Sequence, residues 1–224
     1  MIMILTKKNS FIGREYAFQI SKKNINCCLV QVGKKIDNKI EINRSKKYWQ
    51  PITVNQLKKR GVKILNFKNL KVNFKKFIKK NNIKIGIQAG IGILNPKIIE
   101  SFKQGIINCH PGDIPKYRGS SCPEYQIYDK KMVKVTFHYI DERIDAGYLI
   151  CKKRLKLNYD SYSLMRSTIY KAIAKEIPEV IKKIDSFRKK KINIQNSKIR
   201  SYIGDDKILY LKRNWKNFKP YLVK

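Results

Sequence analysis

Apolar residues fall in short blocks through the first 150 positions. Residues 1–6 (MIMILT) and 26–32 (NCCLVQV) are apolar runs of strand length, and 12–23 between them fits a helix, so the chain opens as β-α-β. Residues 34–60 are polar and irregular, interrupted by Pro51, with a short helix expected over 53–60. A third strand is expected at 61–67 (GVKILNF). Over 70–81 the spacing of Leu70, Phe74, Phe77 and Ile78 predicts a helix. Residues 83–90 (IKIGIQAG) read as a continuous apolar strand. A helix over 97–103 follows the Asn95-Pro96 turn, and 105–110 (GIINCH) form a strand closed by Pro111-Gly112. Residues 133–141 and 148–157 predict two strands whose short connection makes them an antiparallel pair at a sheet edge. A long helix is expected over 160–185, capped by Asp160 or Ser161. Leu164, Ile169, Ile173, Ile177 and Ile181 supply its apolar stripe, and Pro178 should kink it.

Strands alternating with helices predict an α/β fold, with a mostly parallel sheet covered by helices on both faces. The expected division is one domain over residues 1–188 and a short basic, aromatic appendage over 189–224. At 224 residues and 42% hydrophobic content the chain can bury a core without disulfides or metal. No stretch reaches the roughly 20 apolar residues of a membrane helix. The first apolar run precedes its lysines, the reverse of a signal peptide, so a cytoplasmic location is expected. Five cysteines without a CxxC pair fit reduced thiols and give no support to a structural metal site.

Charge changes the picture most. Fifty-one basic against 16 acidic residues give +35, a balance that attracts nucleic acid, anionic lipid or an anionic small molecule. The competing reading is a diffuse charged surface. Only ten of the basic residues are arginine, and abundant Lys, Ile and Asn suggest compositional bias, although that bias should also raise Glu.

Candidate chemistry concentrates in residues 105–150. Alternation along the strand puts Ile106, Asn108 and His110 on one face and Ile107 and Cys109 on the other. Asn108 and His110 therefore share the carboxyl end of a parallel strand, where open α/β sheets place their sites. An amide can donate to a developing oxyanion, and an imidazole can move a proton or stabilise charge. Both histidines of the chain, His110 and His138, lie in this segment. Asp145, ahead of Ala146-Gly147, could orient the imidazole or take a proton. Taken singly, an Asn or His at a strand end is more often a turn or capping residue, and the Asp before Ala-Gly is just as easily a turn former.

Together they form a pattern. Asn108-Cys109-His110-Pro111-Gly112-Asp113-Ile114-Pro115-Lys116-Tyr117-Arg118-Gly119 resembles the NxHPxxxPxYRG signature of the folate-dependent formyltransferases, and VTFHYIDERIDAGYLI resembles their second motif, VTxHxxDxxxDxGxI. The likeness covers roughly residues 80–155. It implies a Rossmann-like formyltransferase fold, 10-formyltetrahydrofolate as formyl donor, and a catalytic trio of Asn108, His110 and Asp145. The pterin slot is implied between the loop Gln88, Ala89, Gly90, Ile91, Gly92 and Leu94 and the loop containing Asp141 and Ile144. Glu124 is a candidate for holding the acceptor amine, with a plain surface residue as the competing reading. Tyr117 and Arg118 are candidates either for acceptor contact or for a structural role in their loop.

Departures from the pattern narrow the acceptor. Gly112 stands where Ser is frequent, and Lys134 where Gly precedes Val-Thr. TKKNSFIGREYA replaces the glycine-rich phosphate loop of the glycinamide ribonucleotide enzymes. About 35 residues after the long helix are too few for the C-terminal barrel of methionyl-tRNA formyltransferases. The expected acceptor is therefore a small primary amine, foremost an amino sugar on a nucleotide, with a homodimer compatible with this reading. The alternatives are a methionyl-tRNA-type enzyme, a formyltetrahydrofolate hydrolase, an RNA-binding protein on a degenerate scaffold, and a thiol enzyme using Cys109 or Cys122.

Overall fold

A computed structural model describes residues 1–70, 72–187 and 190–222. Position 71 of the expected 70–81 helix and the expected domain boundary at 188–189 lie outside the described residues. One eight-stranded sheet organises the chain, its strands lying in the order 63–67, 27–35, 2–8, 85–89, 106–110, 134–139, 148–154 and 190–191. Strands β1 (Ile2–Lys8), β2 (Cys27–Lys35), β3 (Lys63–Phe67), β4 (Ile85–Ala89) and β5 (Ile106–His110) pair in parallel. Strands β7 (Lys134–Tyr139), β8 (Tyr148–Arg154) and the short β9 (Lys190–Lys191) continue the sheet antiparallel. The mostly parallel α/β sheet expected from the alternation is the architecture found.

Alternation along the strands divides the interior into two layers. Ile2, Ile4, Leu29, Ile107 and Cys109 face a larger core built with helix α1 (Phe11–Lys22) and the long helix α7 (Tyr162–Lys182). Met3, Leu5, Cys28, Val30 and Ile106 face a smaller core with Phe74 and Ile78 of α4 (Val72–Lys80) and with Leu94, Ile98 and Phe102. Buried on both faces, these strands read as continuous apolar runs for that reason.

Local chemistry sets the element ends. Ser10 caps α1 by accepting from the Gly13 N–H at 3.3 Å. Ser161, not Asp160, caps α7, accepting from Leu164 N–H at 3.2 Å, while Asp160 pairs with Lys219 at 2.8 Å. Helix α7 runs continuously through the buried Pro178 and ends at Lys182, ahead of the 185 expected. The stretch 34–60 is more regular than its polarity suggested. It holds α2 (Lys39–Ser45) and α3 (Val54–Lys59), and a reciprocal Thr53–Gln56 capping box starts the second. The helix expected at 97–103 is only one turn, α5 (Pro96–Ile99).

Residues 190–222, expected as a basic appendage, pack into the larger core. Ile203, Ile208, Leu211, Trp215, Phe218 and Leu222 are all buried there, carried largely by α8 (Asp205–Arg213) and α9 (Trp215–Leu222). The Trp215 indole donates to the Tyr159 carbonyl at 2.7 Å. A two-residue strand β10 (Ile199–Arg200) pairs in parallel with β6 (Arg118–Gly119), directly after the Asn-His strand.

Candidate active site

Strand β5 ends with Asn108 flanked by Gln88 on β4 and His138 on β7. The three neighbours in register put an amide, an amide and an imidazole side by side at the carboxyl edge of the sheet. Beyond that edge the Asp141–Asp145 loop turns back into β8. Gly147 makes the return sharp enough. Its φ is +91°, and a Cβ there would stand 2.1 Å from the Tyr139 carbonyl oxygen. Asp145 itself adopts φ +43°, a left-handed conformation that Asp tolerates better than most residues.

This turn brings the three expected residues together. Asp145 Oδ1 accepts from Asn108 Nδ2 at 3.0 Å and stands 3.3 Å from His110 Nδ1. Its Oδ2 accepts from the Gly119 N–H at 2.7 Å. The other ring nitrogen of His110, Nε2, donates to the Tyr117 carbonyl at 2.7 Å. Asn108 Nδ2 also lies 3.3 Å from His138 Nε2, while His138 Nδ1 donates to the Ala146 carbonyl at 2.6 Å. That last bond places the His138 proton on Nδ1 and leaves Nε2 as an acceptor, which fixes the orientation of the Asn108 amide.

Electrostatics follow from these contacts. Burial pulls the His110 pKa down, but the contacts with Asp145 and Cys122 and the Asp145 charge win and raise it to about 10. Burial and the positive His110 push His138 the other way, to about 4. The Asp145 carboxyl is opposed by burial, yet its bonds to His110 and Gly119 hold it below the usual carboxylate range. One histidine is thus a buried cation and the other a buried neutral acceptor, 28 residues apart in sequence and on adjacent strands.

A cavity of about 280 Å³ opens above the group. Asn108 and Asp145 form part of its floor, whereas His110, only 4% exposed, lies behind them and lines none of it. Of the residues expected in a ring-binding slot, Gln88, Gly92, Leu94, Asp141 and Ile144 line the cavity, and Ala89, Gly90 and Ile91 do not. Ala89 is buried, its carbonyl accepting from Thr6 Oγ1 at 2.7 Å, and Ile91 packs against the smaller core. Arg143 clamps Asp141 through its backbone N–H at 2.9 Å and its Nε at 3.0 Å. Burial opposes ionisation of Asp141, and Arg143 outweighs it, so that carboxyl too is held low.

The expected acceptor-binding residues fall elsewhere. Glu124 was expected either to meet an amine or to be plain surface, and it is neither. It is fully buried at the start of α6 (Cys122–Tyr128). Its Oε1 accepts from Arg44 at 3.1 Å and from Tyr162 at 2.9 Å and lies 3.6 Å from Arg166. Tyr117 is buried and donates its hydroxyl to Asp129 at 2.7 Å. Arg118 is buried too, and its guanidinium donates to the Ile144 and Asp145 carbonyls at 2.5 and 3.1 Å. Both therefore brace loops, Arg118 the very loop that presents Asp145.

Eight cavity residues were not among those expected. Ile93, Ile140, Glu142 and Arg143 lie in or beside the two expected loops, Gly119 closes the quoted motif and Ser120 follows it, and Ile199 and Arg200 arrive from the far C-terminal segment through the β6–β10 pairing. No local signal marked the latter two. Cys109 points into the larger core, where burial pushes its thiol pKa well up, and Cys122 is buried beside His110. Among the described residues no His/Cys/Asp/Glu cluster could hold a metal, and no helix is long and apolar enough to cross a membrane.

Comparison with known proteins agrees with the geometry. The family described as formyl transferase matches residues 1–184. The chain belongs to the formyltransferase family. Among curated members it is 32% identical over 119 residues to the methionyl-tRNA formyltransferase of Thermodesulfovibrio yellowstonii, a match covering 52% of this chain and 38% of that one. It is 26% identical over 102 residues to the phosphoribosylglycinamide formyltransferase of Bacillus subtilis, covering 45% and 52% respectively. The matches thus span about half or less of these relatives' length. Among solved formyltransferase structures, PseJ from Anoxybacillus kamchatkensis aligns with a TM-score of 0.57 at 19% identity over 99% of this chain and 97% of that chain. It was solved with UDP-4,6-dideoxy-4-formamido-L-AltNAc and tetrahydrofolate. At that identity the likeness speaks for the fold.

Proposed function

We propose that this formyltransferase moves the formyl group of 10-formyltetrahydrofolate onto the primary amine of an amino sugar carried by a nucleotide. One observation carries the reading: the Asp145 carboxylate is held by Asn108, His110 and the Gly119 N–H on the floor of a cavity of about 280 Å³. The cavity fits part of such a donor. Residues of the 88–94 and 140–145 loops line it, as a pterin slot between those loops requires, and its volume suits a ring system with the remainder of the donor outside. The bound donor would supply an activated formyl carbonyl.

The residues of this chain then divide the work. Asn108 Nδ2 is the N–H donor at the cavity floor, and its weaker contact, 3.3 Å to His138, is the one a developing oxyanion would replace. His110 contributes positive charge from behind, since its Nε2 is bonded to the Tyr117 carbonyl and its Nδ1 is paired with Asp145. Asp145 keeps His110 charged and, as the carboxylate lining the cavity, would take the proton of the attacking nitrogen and pass it to the departing donor nitrogen. Orientation and fixed charge suffice, and no covalent enzyme intermediate is needed. PseJ, which shares the fold along the full chain, was solved with a UDP-linked formamido sugar and tetrahydrofolate, and the acceptor class is proposed by analogy with it.

The test is to incubate the purified protein with 10-formyltetrahydrofolate and a panel of nucleotide-linked amino sugars, following acceptor mass and released formate. A formylated acceptor is expected. Formate release without any formylated acceptor would replace the transferase by a hydrolase.

A further inference from the structure

His110 has no ring nitrogen to spare. Nδ1 faces Asp145 Oδ1 at 3.3 Å, and Nε2 faces the Tyr117 carbonyl oxygen at 2.7 Å. A carboxylate and a backbone carbonyl can only accept, so both nitrogens carry protons and the ring is an imidazolium. The titratable groups around it are Asp145 from the loop before β8, Cys122 from α6 and His138 from β7.

The second of these bonds depends on an absent side chain. Residue 112 is pinned, its N–H donating to the His110 carbonyl at 2.8 Å and its carbonyl accepting from Thr136 Oγ1 at 2.6 Å. A Cβ on it would stand 2.4 Å from His110 Nε2 and 2.6 Å from the Tyr117 oxygen, inside van der Waals contact with both ends of the hydrogen bond. Any side chain at 112 forces the ring and that carbonyl apart.

Resting on the formyl-transfer reading, we propose that Gly112 is a positioning residue: its bare α-carbon lets Tyr117 and Asp145 hold His110 as a fixed cation behind Asn108. His110 then acts through charge alone, and Asn108 is the donor that meets the transferred carbonyl.

Nitrogen-15 spectra of His110 test this directly. In the wild-type protein both ring nitrogens should stay protonated from about pH 6 to 9, with a scalar coupling across the bond from Nε2 to the Tyr117 carbonyl. In Gly112→Ala and Gly112→Ser that coupling disappears and the ring titrates inside this interval. Their formyl transfer should fall about tenfold between pH 6 and 9 while the wild-type rate stays flat in the His110 ionisation. Variants that keep a doubly protonated, coupled ring overturn the proposal. Should they fail to fold, the wild-type spectrum decides, because one unprotonated ring nitrogen at neutral pH is sufficient refutation. A charged, coupled His110 in a protein that transfers no formyl group would remove the proposed activity and leave the role of Gly112 standing. An active protein with a neutral His110 would do the reverse.

Discussion

Replacing Asp145 by asparagine removes the charge shared by three donors. In the wild type Oδ1 serves Asn108 at 3.0 Å and His110 at 3.3 Å, and Oδ2 serves Gly119 at 2.7 Å. An asparagine keeps one oxygen, so one side of the group meets an N–H where it had an acceptor. Breaking a buried ion pair by removing one partner costs about 3–5 kcal/mol, and His110 and Asp145 side chains are only 5% and 11% exposed. The cost depends on pH with a definite sign. The His110 pKa is raised from 6.5 to about 10 in the fold, so its contribution is complete below pH 6.5 and vanishes as pH climbs through about 10. The Asp145 pKa is lowered from 3.8, so its contribution is present above that value and lost on acidification. The wild-type advantage over Asp145→Asn is therefore greatest between pH 3.8 and 6.5 and shrinks steadily toward pH 10. Urea unfolding of both proteins across this range, at matched salt, reads the difference. A gap that is constant with pH, or that widens on the alkaline side, refutes the ion pair.

Three other substitutions probe separate parts of the account. Asn108→Ala should lower kcat about 100- to 1000-fold in a protein that stays folded, with a stability loss of about 1–3 kcal/mol for the acceptors left on Asp145 and His138; near-normal turnover would remove Asn108 from the chemistry. Glu124→Ala leaves Arg44 and Arg166 buried without their shared carboxylate, and should destabilise by about 3–5 kcal/mol in urea titrations. An unchanged midpoint with a raised acceptor KM would restore the amine-binding role. Cys109→Ser, on the core face of β5, should keep most of the activity despite a stability loss of about 1–3 kcal/mol for burying a hydroxyl, and abolished turnover in the folded protein would point to thiol chemistry.

What the sequence showed and what it hid separate by distance along the chain. Asn108, His110 and Asp145 were legible through the resemblance of two short, local motifs to the formyltransferase pattern, to which period-two alternation added that His110 and Cys109 face opposite sides of the strand. The role of Glu124 was not, because Arg44 is 80 residues away and a carboxylate in a loop looks solvent-exposed until its partners are placed. Helix α6 was hidden by Cys122-Pro123, which reads as a break although proline is well tolerated in a first helical turn. The C-terminal segment resisted assignment because its two-residue strand gains meaning only through pairing with β6. His138 showed as one of two histidines, but its service to Asn108 rests on a cross-strand register that no spacing announces.

The most direct measurement is a crystal structure of the protein with tetrahydrofolate bound. The pterin should lie between residues 88–94 and 140–145, with the donor nitrogen within about 3–4 Å of the Asn108 amide and the Asp145 carboxylate. A folate seated elsewhere, or those two side chains turned away from its nitrogen, would contradict the account.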